Sequence, residues 1–353
     1  MGGAGVSTMT ATSPTALTAT ALPAGARLTL VVAALDDTVP GVRSLTLARP
    51  DGAVLPSYTP GSHVVVEIPA GEGRARRLAN AYSLTGESVH PTTYAISVLR
   101  CDPESGAAGG SAWIHTLGLG DTLTVTAPRS AFAPVQLATR HLLVGAGIGI
   151  TPLVSHLRSA LRWGRDVQLL QVSREGYGAH VDEVRALGGD RVTVLGDRAA
   201  LAAHLGPLLA DQPIGTHLYT CGPTAFMDAV VATARDLGWP PSRVHLEHFG
   251  LDALDPGDPF TVAVDGGPTL AVPSGTSLLE ALEEHGYDVP NLCRQGVCGE
   301  CRLGVVPAAS TGVHHRDLFL GDDARAAGDC AMACVSRALT DAATGRAHLE
   351  VSL

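Results

Sequence analysis

The chain has 353 residues, enough for two or three domains that each bury a core. Apolar residues make up 45% and charged residues 16%, a globular balance, and no run reaches the ~18 consecutive apolar residues of a membrane span. A net charge of −10, with 24 Arg and no Lys, argues against a nucleic-acid role.

Residues 1–26 carry no charged side chain and lack the basic start and compact apolar core of a signal peptide, so a disordered tail is expected there. Next come alternating β-branched runs, Leu28–Leu35, Val42–Ala48, His63–Ile68, Tyr94–Leu99 and Thr122–Ala127, separated by Pro, Gly and Asp turns. Short strands at this spacing predict an antiparallel barrel over 27–137.

The pattern changes at His141. A short apolar strand, Leu142–Val144, runs into Gly145-Ala-Gly147-Ile-Gly149-Ile-Thr151-Pro152 and a helical period through Trp163. Strands Val167–Val172, Val192–Leu195 and His217–Thr220 then alternate with helices around His180–Leu187, Ala199–Leu209 and Thr224–Leu237. Such alternation predicts a doubly wound parallel sheet over 138–250.

Leu251–Asp258 is a linker by composition. Beyond it Phe260–Val264, an Asp265-Gly-Gly turn and Leu270–Val272 form a hairpin. Ser277-x-x-Glu280 is a capping box opening a helix that ends at Gly286, which places an α+β domain at 259–353. That domain holds 12 acidic residues against 6 Arg, a net −6 of the chain's −10. His314-His315-Arg316-Asp317 reads as the exposed start of a helix.

Seven cysteines, crowded towards the C-terminus, suit a metal or cluster site in a reducing cytoplasm better than a disulfide framework. Cys293, Cys298 and Cys301 stand in the C-x4-C-x2-C spacing of a plant-type [2Fe–2S] site. Gly296 and Gly299 let that loop coil tightly and aim backbone N–H groups at the sulfurs. A zinc knuckle would need a second C-x2-C pair, and Rieske ligation a Cys-x-His pair; the chain has neither. The fourth thiolate is Cys330 or Cys334, with 28 or 32 residues between it and Cys301, and loop closure does not separate the two.

Gly145, Gly147 and Gly149 between strand and helix suit a pyrophosphate at a helix N-terminus. Cys221-Gly222-Pro223 follows another strand at its C-terminal end, where α/β sheets bind ligands. Tyr82-Ser83-Leu84 sits in the barrel, and Gly109-Gly110-Ser111 opens a short helix.

Taken in order, Tyr-Ser-Leu, Gly-Gly-Ser, Gly-x-Gly-x-Gly-x-Thr-Pro, Cys-Gly-Pro, Glu-His-Phe and C-x4-C-x2-C make residues 27–353 resemble the phthalate dioxygenase reductase and vanillate O-demethylase reductase family. The resemblance implies that Tyr82 packs on a flavin ring and Ser83 bonds near its N5. It gives Gly109, Gly110 and Ser111 to the FMN phosphate. It gives Gly145, Gly147, Gly149 and Thr151 to the nicotinamide nucleotide, with Cys221, Gly222 and Pro223 flanking the nicotinamide. It makes Phe249 the aromatic at the flavin edge. Asn80 departs from the family, which often has Arg two residues before the Tyr; Arg77 lies near in sequence. Cys334-Val-Ser-Arg-Ala matches the family's fourth-ligand segment and follows apolar Ala331-Met332-Ala333, whereas Cys330 follows the polar pair Gly328-Asp329.

A nicotinamide delivers two electrons as hydride and a [2Fe–2S] cluster accepts one, so a flavin must stand between them. The expectation is a cytoplasmic, monomeric reductase with no acid–base residue, feeding a separate Rieske-type oxygenase. A cytochrome P450 acceptor and a non-catalytic flavin–ferredoxin carrier are the alternatives. FMN is expected over FAD, because the loop Gly106–Ser111 is short and no aromatic-bearing insertion offers to hold an adenine. NADH is expected over NADPH, although Arg174 and Glu175 after the second nucleotide-domain strand pull in opposite directions.

Overall fold

The structure is a computed structural model and describes residues 26–69, 78–101, 109–130, 132–249, 257–291, 296, 299–317 and 319–353. Residues 1–25, Arg77, the loop 106–108, most of the linker, Cys293 and Cys298 lie outside the described residues.

Strands β1 (Arg27–Asp36), β2 (Val42–Ala48), β3 (Ser62–Ile68), β4 (Leu78–Ser83), β5 (Thr93–Leu99) and β6 (Thr122–Thr126) form an antiparallel sheet ordered β4-β3-β6-β1-β2-β5, and β7 (Arg129–Ser130) adds beside β3. A Leu84–Ile96 bridge joins the two edges and closes the sheet into a barrel. Alternation in the strands puts Leu30, Leu45, Leu47, Val64, Val66 and Ile96 inside, which removes the cost of an open edge. Helix α1 (Gly110–Ile114) docks Ile114 against that core.

The next unit runs β8 (Arg140–Ala146), α2 (Ile150–Arg162), β9 (Val167–Val172), α3 (Val181–Gly188), β10 (Val192–Leu195), α4 (Arg198–Ala210), β11 (Thr216–Cys221), α5 (Thr224–Asp236) and β12 (Val244–Glu247). Its parallel sheet is ordered β10-β9-β8-β11-β12, so the winding reverses between β8 and β11. Leu143 and Leu169 face α2 while Leu142, Val144 and Leu170 face α4 and α5, which is why these strands read as unbroken apolar runs.

The last unit holds β13 (Phe260–Val264), β14 (Leu270–Val272), α6 (Leu278–Glu284), β15 (Arg302–Val305), β16 (Val313–His314), α7 (Asp322–Ala327), β17 (Cys330–Met332), β18 (Arg337–Ala338) and β19 (His348–Ser352). The order β14-β13-β19-β15-β17, with β13 and β19 parallel, is a sheet grasping one helix. The capping box forms as the sequence predicts: Ser277 Oγ accepts from Glu280 N at 3.1 Å and the Glu280 carboxylate accepts from Ser277 N at 2.8 Å.

One expectation needs correction. His314-His315-Arg316-Asp317 does not start a helix: Val313–His314 is a strand, and the Asp317 side chain is fully buried, accepting from Phe319 N and Leu320 N. Cys330, which follows the polar pair Gly328-Asp329, is itself buried. It lies in β17, 2% exposed and paired with Gly304.

Candidate functional site

The barrel and the nucleotide unit meet along several hydrogen bonds. Gly61 N donates to Ser155 Oγ at 2.8 Å, Ser97 Oγ pairs with His180 Nε2 at 2.8 Å, and His156 Nε2 donates to the Phe132 carbonyl at 2.7 Å. At that seam stand residues from three strands. Ser83 ends β4, Cys221 ends β11 and Glu247 ends β12. Ser83 Oγ donates to Glu247 Oε2 at 3.5 Å, and all three residues are buried. Burial pushes the Cys221 thiol well above its ordinary value, and the Glu247 carboxylate adds to the effect. Cys221 therefore stays a neutral thiol. Tyr82 precedes Ser83, half-buried, and Phe249 lies two residues beyond β12, also half-buried.

The glycine loop packs on the same junction. A Cβ at Gly149 would stand 2.6 Å from Gly222 N and closer still to the Cys221 carbonyl, so only glycine lets the two loops touch. Gly147 begins a short 3-10 turn, and Thr151 Oγ1 donates to the Ile148 carbonyl at 3.0 Å, closing the loop onto α2. Gln171, fully buried on β9 beside Gly145, donates through Nε2 to the Gly147 carbonyl at 3.0 Å. Pro223 caps α5. The winding reverses between β8 and β11, and the ends of such strands are the place where doubly wound sheets hold nucleotides. Gln171, in an apolar run, was not singled out in the sequence, and Glu247 entered only as the first residue of the Glu-His-Phe motif.

Gly109 takes a left-handed φ of 83° ahead of α1. A Cβ at Gly110 would stand 2.8 Å from Ile68 Cδ1 and 3.0 Å from Asn80 Cγ, so Asn80 packs against the Gly-Gly-Ser segment. Asn80 Nδ2 donates to the Tyr82 hydroxyl at 3.4 Å. The Ser111 hydroxyl is engaged with the Cys101 backbone, accepting from its N–H at 3.0 Å. This close cradle of backbone and small side chains has the chemistry of a phosphate seat.

In the last unit Cys301 Sγ and Cys334 Sγ stand 3.2 Å apart, too far for a disulfide. Gly296 N donates to Cys334 Sγ at 3.2 Å. Gly296 and Gly299 have φ of 73° and 81°, and Cβ atoms there would strike Val335 at 2.7 Å and the Phe319 ring at 2.6 Å. Ala333 N donates to the Cys301 carbonyl at 3.0 Å, which ties the two cysteine segments together. Ala331, Met332 and Ala333 are fully buried beneath. Cys330 pairs with Gly304, three residues along the strand from Cys301, a backbone offset of about 10 Å. Paired thiols, inward N–H groups and an apolar floor suit a thiolate-held cluster.

A barrel, a nucleotide sheet and a cysteine-bearing grasp domain define a flavin- and iron–sulfur-dependent NAD(P)H oxidoreductase. The 2Fe-2S iron-sulfur cluster binding domain model matches residues 262–339, and the N-terminal domain model of dimethylamine monooxygenase subunit DmmA-like proteins matches 123–244. The heme-dependent oxidative N-demethylase beta subunit of Ectopseudomonas mendocina is 39% identical over 310 residues, covering 87% of this chain and 94% of that protein. The phthalate 4,5-dioxygenase oxygenase reductase subunit of Pseudomonas putida is 32% identical over 325 residues, 88% of this chain and 94% of its own. The solved phthalate dioxygenase reductase, described as a modular structure for electron transfer from pyridine nucleotides to [2Fe–2S], matches with a TM-score of 0.75 and 31% identity over 93% of this chain and 98% of that one. The chain belongs to this family of oxygenase reductases and works with an oxygenase component. Among the described residues no helix is long and apolar enough to cross a membrane.

Proposed function

We propose that the chain takes hydride from NADH onto FMN and passes single electrons through a [2Fe–2S] cluster to a separate Rieske-type oxygenase. The observation that carries this reading is the seam where Ser83, Cys221, Glu247 and Gly149 meet, because it brings a barrel strand end against a nucleotide crevice. Bound flavin supplies the change from two-electron to one-electron chemistry that neither neighbour can perform.

The chain's own residues do the positioning. Tyr82 and Phe249 offer aromatic faces to a flavin ring, and Ser83 Oγ offers a donor beside it. Gly109, Gly110 and Ser111 seat its phosphate. Gly145, Gly147, Gly149 and Thr151 receive the dinucleotide, and Cys221, Gly222 and Pro223 form the wall beside the nicotinamide. As a neutral buried thiol, Cys221 fills space there without adding a charge of its own. Cys293, Cys298, Cys301 and Cys334 hold the cluster. No general acid or base is assigned. Domain limits of 27–137, 138–250 and 259–353, a monomeric state and a cytoplasmic location complete the reading.

Arg174 stacks on the Tyr177 ring at 5.1 Å rather than standing free for a 2′-phosphate, which favours NADH. A haem-containing acceptor is the second reading, favoured by the relative from Ectopseudomonas mendocina. Anaerobic mixing with NADH and then NADPH tests the proposal: NADH should bleach the flavin faster and then reduce the cluster, and heat-released flavin should have the mass of FMN. FAD as the sole species, or faster bleaching by NADPH, overturns those parts. Reoxidation of the cluster by a purified Rieske component or a haem component decides between acceptors.

A further inference from the structure

We propose that Arg129 is a positioning residue that ties Asn291, just ahead of the cluster motif, to the flavin barrel and so sets the rate of electron transfer from flavin to cluster. The inference rests on the reading above and adds a residue that no motif includes.

Arg129 lies on β7, where it pairs with His63 of β3, and His63 in turn pairs with Ser83 of β4. The arginine is therefore two strands across from the serine at the seam. Its guanidinium leaves the barrel and donates from Nη1 to the Asn291 carbonyl at 3.2 Å. Among the described residues this is the one hydrogen bond between the barrel and the last unit. Asn291 stands two residues before Cys293, the first cysteine of the cluster motif.

The acceptor is itself held. Asn291 Nδ2 donates to Glu283 Oε1 of α6 at 3.2 Å and to the Val289 carbonyl at 2.9 Å. A charge-assisted donor on a rigid strand thus meets a carbonyl on a braced turn. The contact joins the two redox units at the point where the chain enters the cluster motif. A carbonyl has no charge to exchange for an ion pair, so its use is directional: it fixes where Asn291 sits.

The experiment uses the holoprotein in anaerobic stopped flow with NADH, following flavin bleaching and the reduced-cluster signal separately. Arg129→Gln should leave flavin bleaching unchanged and slow cluster reduction severalfold, because the turn before the cluster motif is no longer held against the barrel. Arg129→Lys, which keeps a cationic donor, should restore much of that rate. A merely structural arginine would slow both phases or neither. Cluster reduction at the wild-type rate in Arg129→Gln overturns the proposal. Should that variant lose flavin or cluster on purification, Asn291→Ala loosens the same turn from the other side, and an unchanged rate there overturns it equally. Wild-type protein that fails to bleach with NADH would instead sink the functional reading itself.

Discussion

Replacing Gly149 with Ala tests whether contact between the two loops sets hydride transfer. The new Cβ would stand 2.5 Å from the Cys221 carbonyl carbon and 2.6 Å from Gly222 N, both backbone atoms that cannot rotate aside. Ordinary contact begins near 3.4 Å, so the loops must part by roughly 1 Å. Overpacking of this kind costs about 1–3 kcal/mol of stability. A displacement of that size between nicotinamide wall and nucleotide loop should slow flavin reduction by up to ~10²-fold, about 2.7 kcal/mol of barrier. The control is Gly164→Ala in the turn after α2, where φ is +61° and nothing lies within 4 Å. It should lower stability by about 1–2 kcal/mol through left-handed strain and leave the rate alone. Stopped-flow bleaching by NADH, with flavin and iron content measured in parallel, reads both variants. A wild-type rate in Gly149→Ala, or equal slowing in Gly164→Ala, refutes the packing argument.

Cys334→Ser should abolish the [2Fe–2S] spectrum while flavin bleaching by NADH survives, and Cys330→Ser should leave the spectrum intact; the reverse pattern would move the fourth ligand to Cys330. Reduction of the partner oxygenase should weaken as salt rises if the net −6 of residues 259–353 steers docking, because exposed charges are screened beyond ~8–10 Å. A salt-independent rate would leave that charge as solvation. Burial holds His156 down at about 3 and His245 at about 4. Both lie below the unfolded value, so their neutral forms stabilise the fold fully above about pH 6.5, and that contribution is lost as pH falls. Unfolding free energies from urea titrations at pH 7.5 and 5.5 should differ by up to about 1.4 kcal/mol for each histidine, and His156→Gln should reduce the difference.

Much of the fold is legible because its strands are either alternating or wholly apolar. Val42–Ala48, Val167–Val172 and Phe260–Val264 have the bounds that the pattern predicts. The strands that escape notice are those whose stability is not local. Leu-Ala-Asn-Ala-Tyr-Ser in β4 has few strong strand formers and is held by its pairing with β3. Val-His-Leu-Glu in β12 is short and half polar, a strand only because β11 templates it. The site divides the same way. Glycines and cysteines announce themselves by spacing, since a nucleotide loop and a cluster loop are each one contiguous segment. Glu247 does not, because its meaning comes from Ser83, 164 positions away on another domain. Asp317 hides in a polar run for the same reason, since its partners are the N–H groups of a turn that only the folded chain supplies.

Chain order and spatial order differ, and the difference explains the architecture. The barrel comes first in sequence, yet both other units reach it. Through Gly61, Ser97 and Phe132 it holds the nucleotide unit, with Ser83 facing Glu247. Through β7 and Arg129 it reaches the last unit. Two electrons must enter on one side and leave singly on another, so a flavin carrier needs two faces that do not compete. Adjacent strands β4, β3 and β7 supply this: the first ends at the nucleotide seam, and the last turns towards the cluster motif. A nucleotide unit inserted between barrel and ferredoxin in space would lengthen the electron path by its own width. Insertion in sequence alone costs only a linker, because the entropy of closing a loop grows slowly with its length. The chain can therefore carry its middle station first and still place it between the other two.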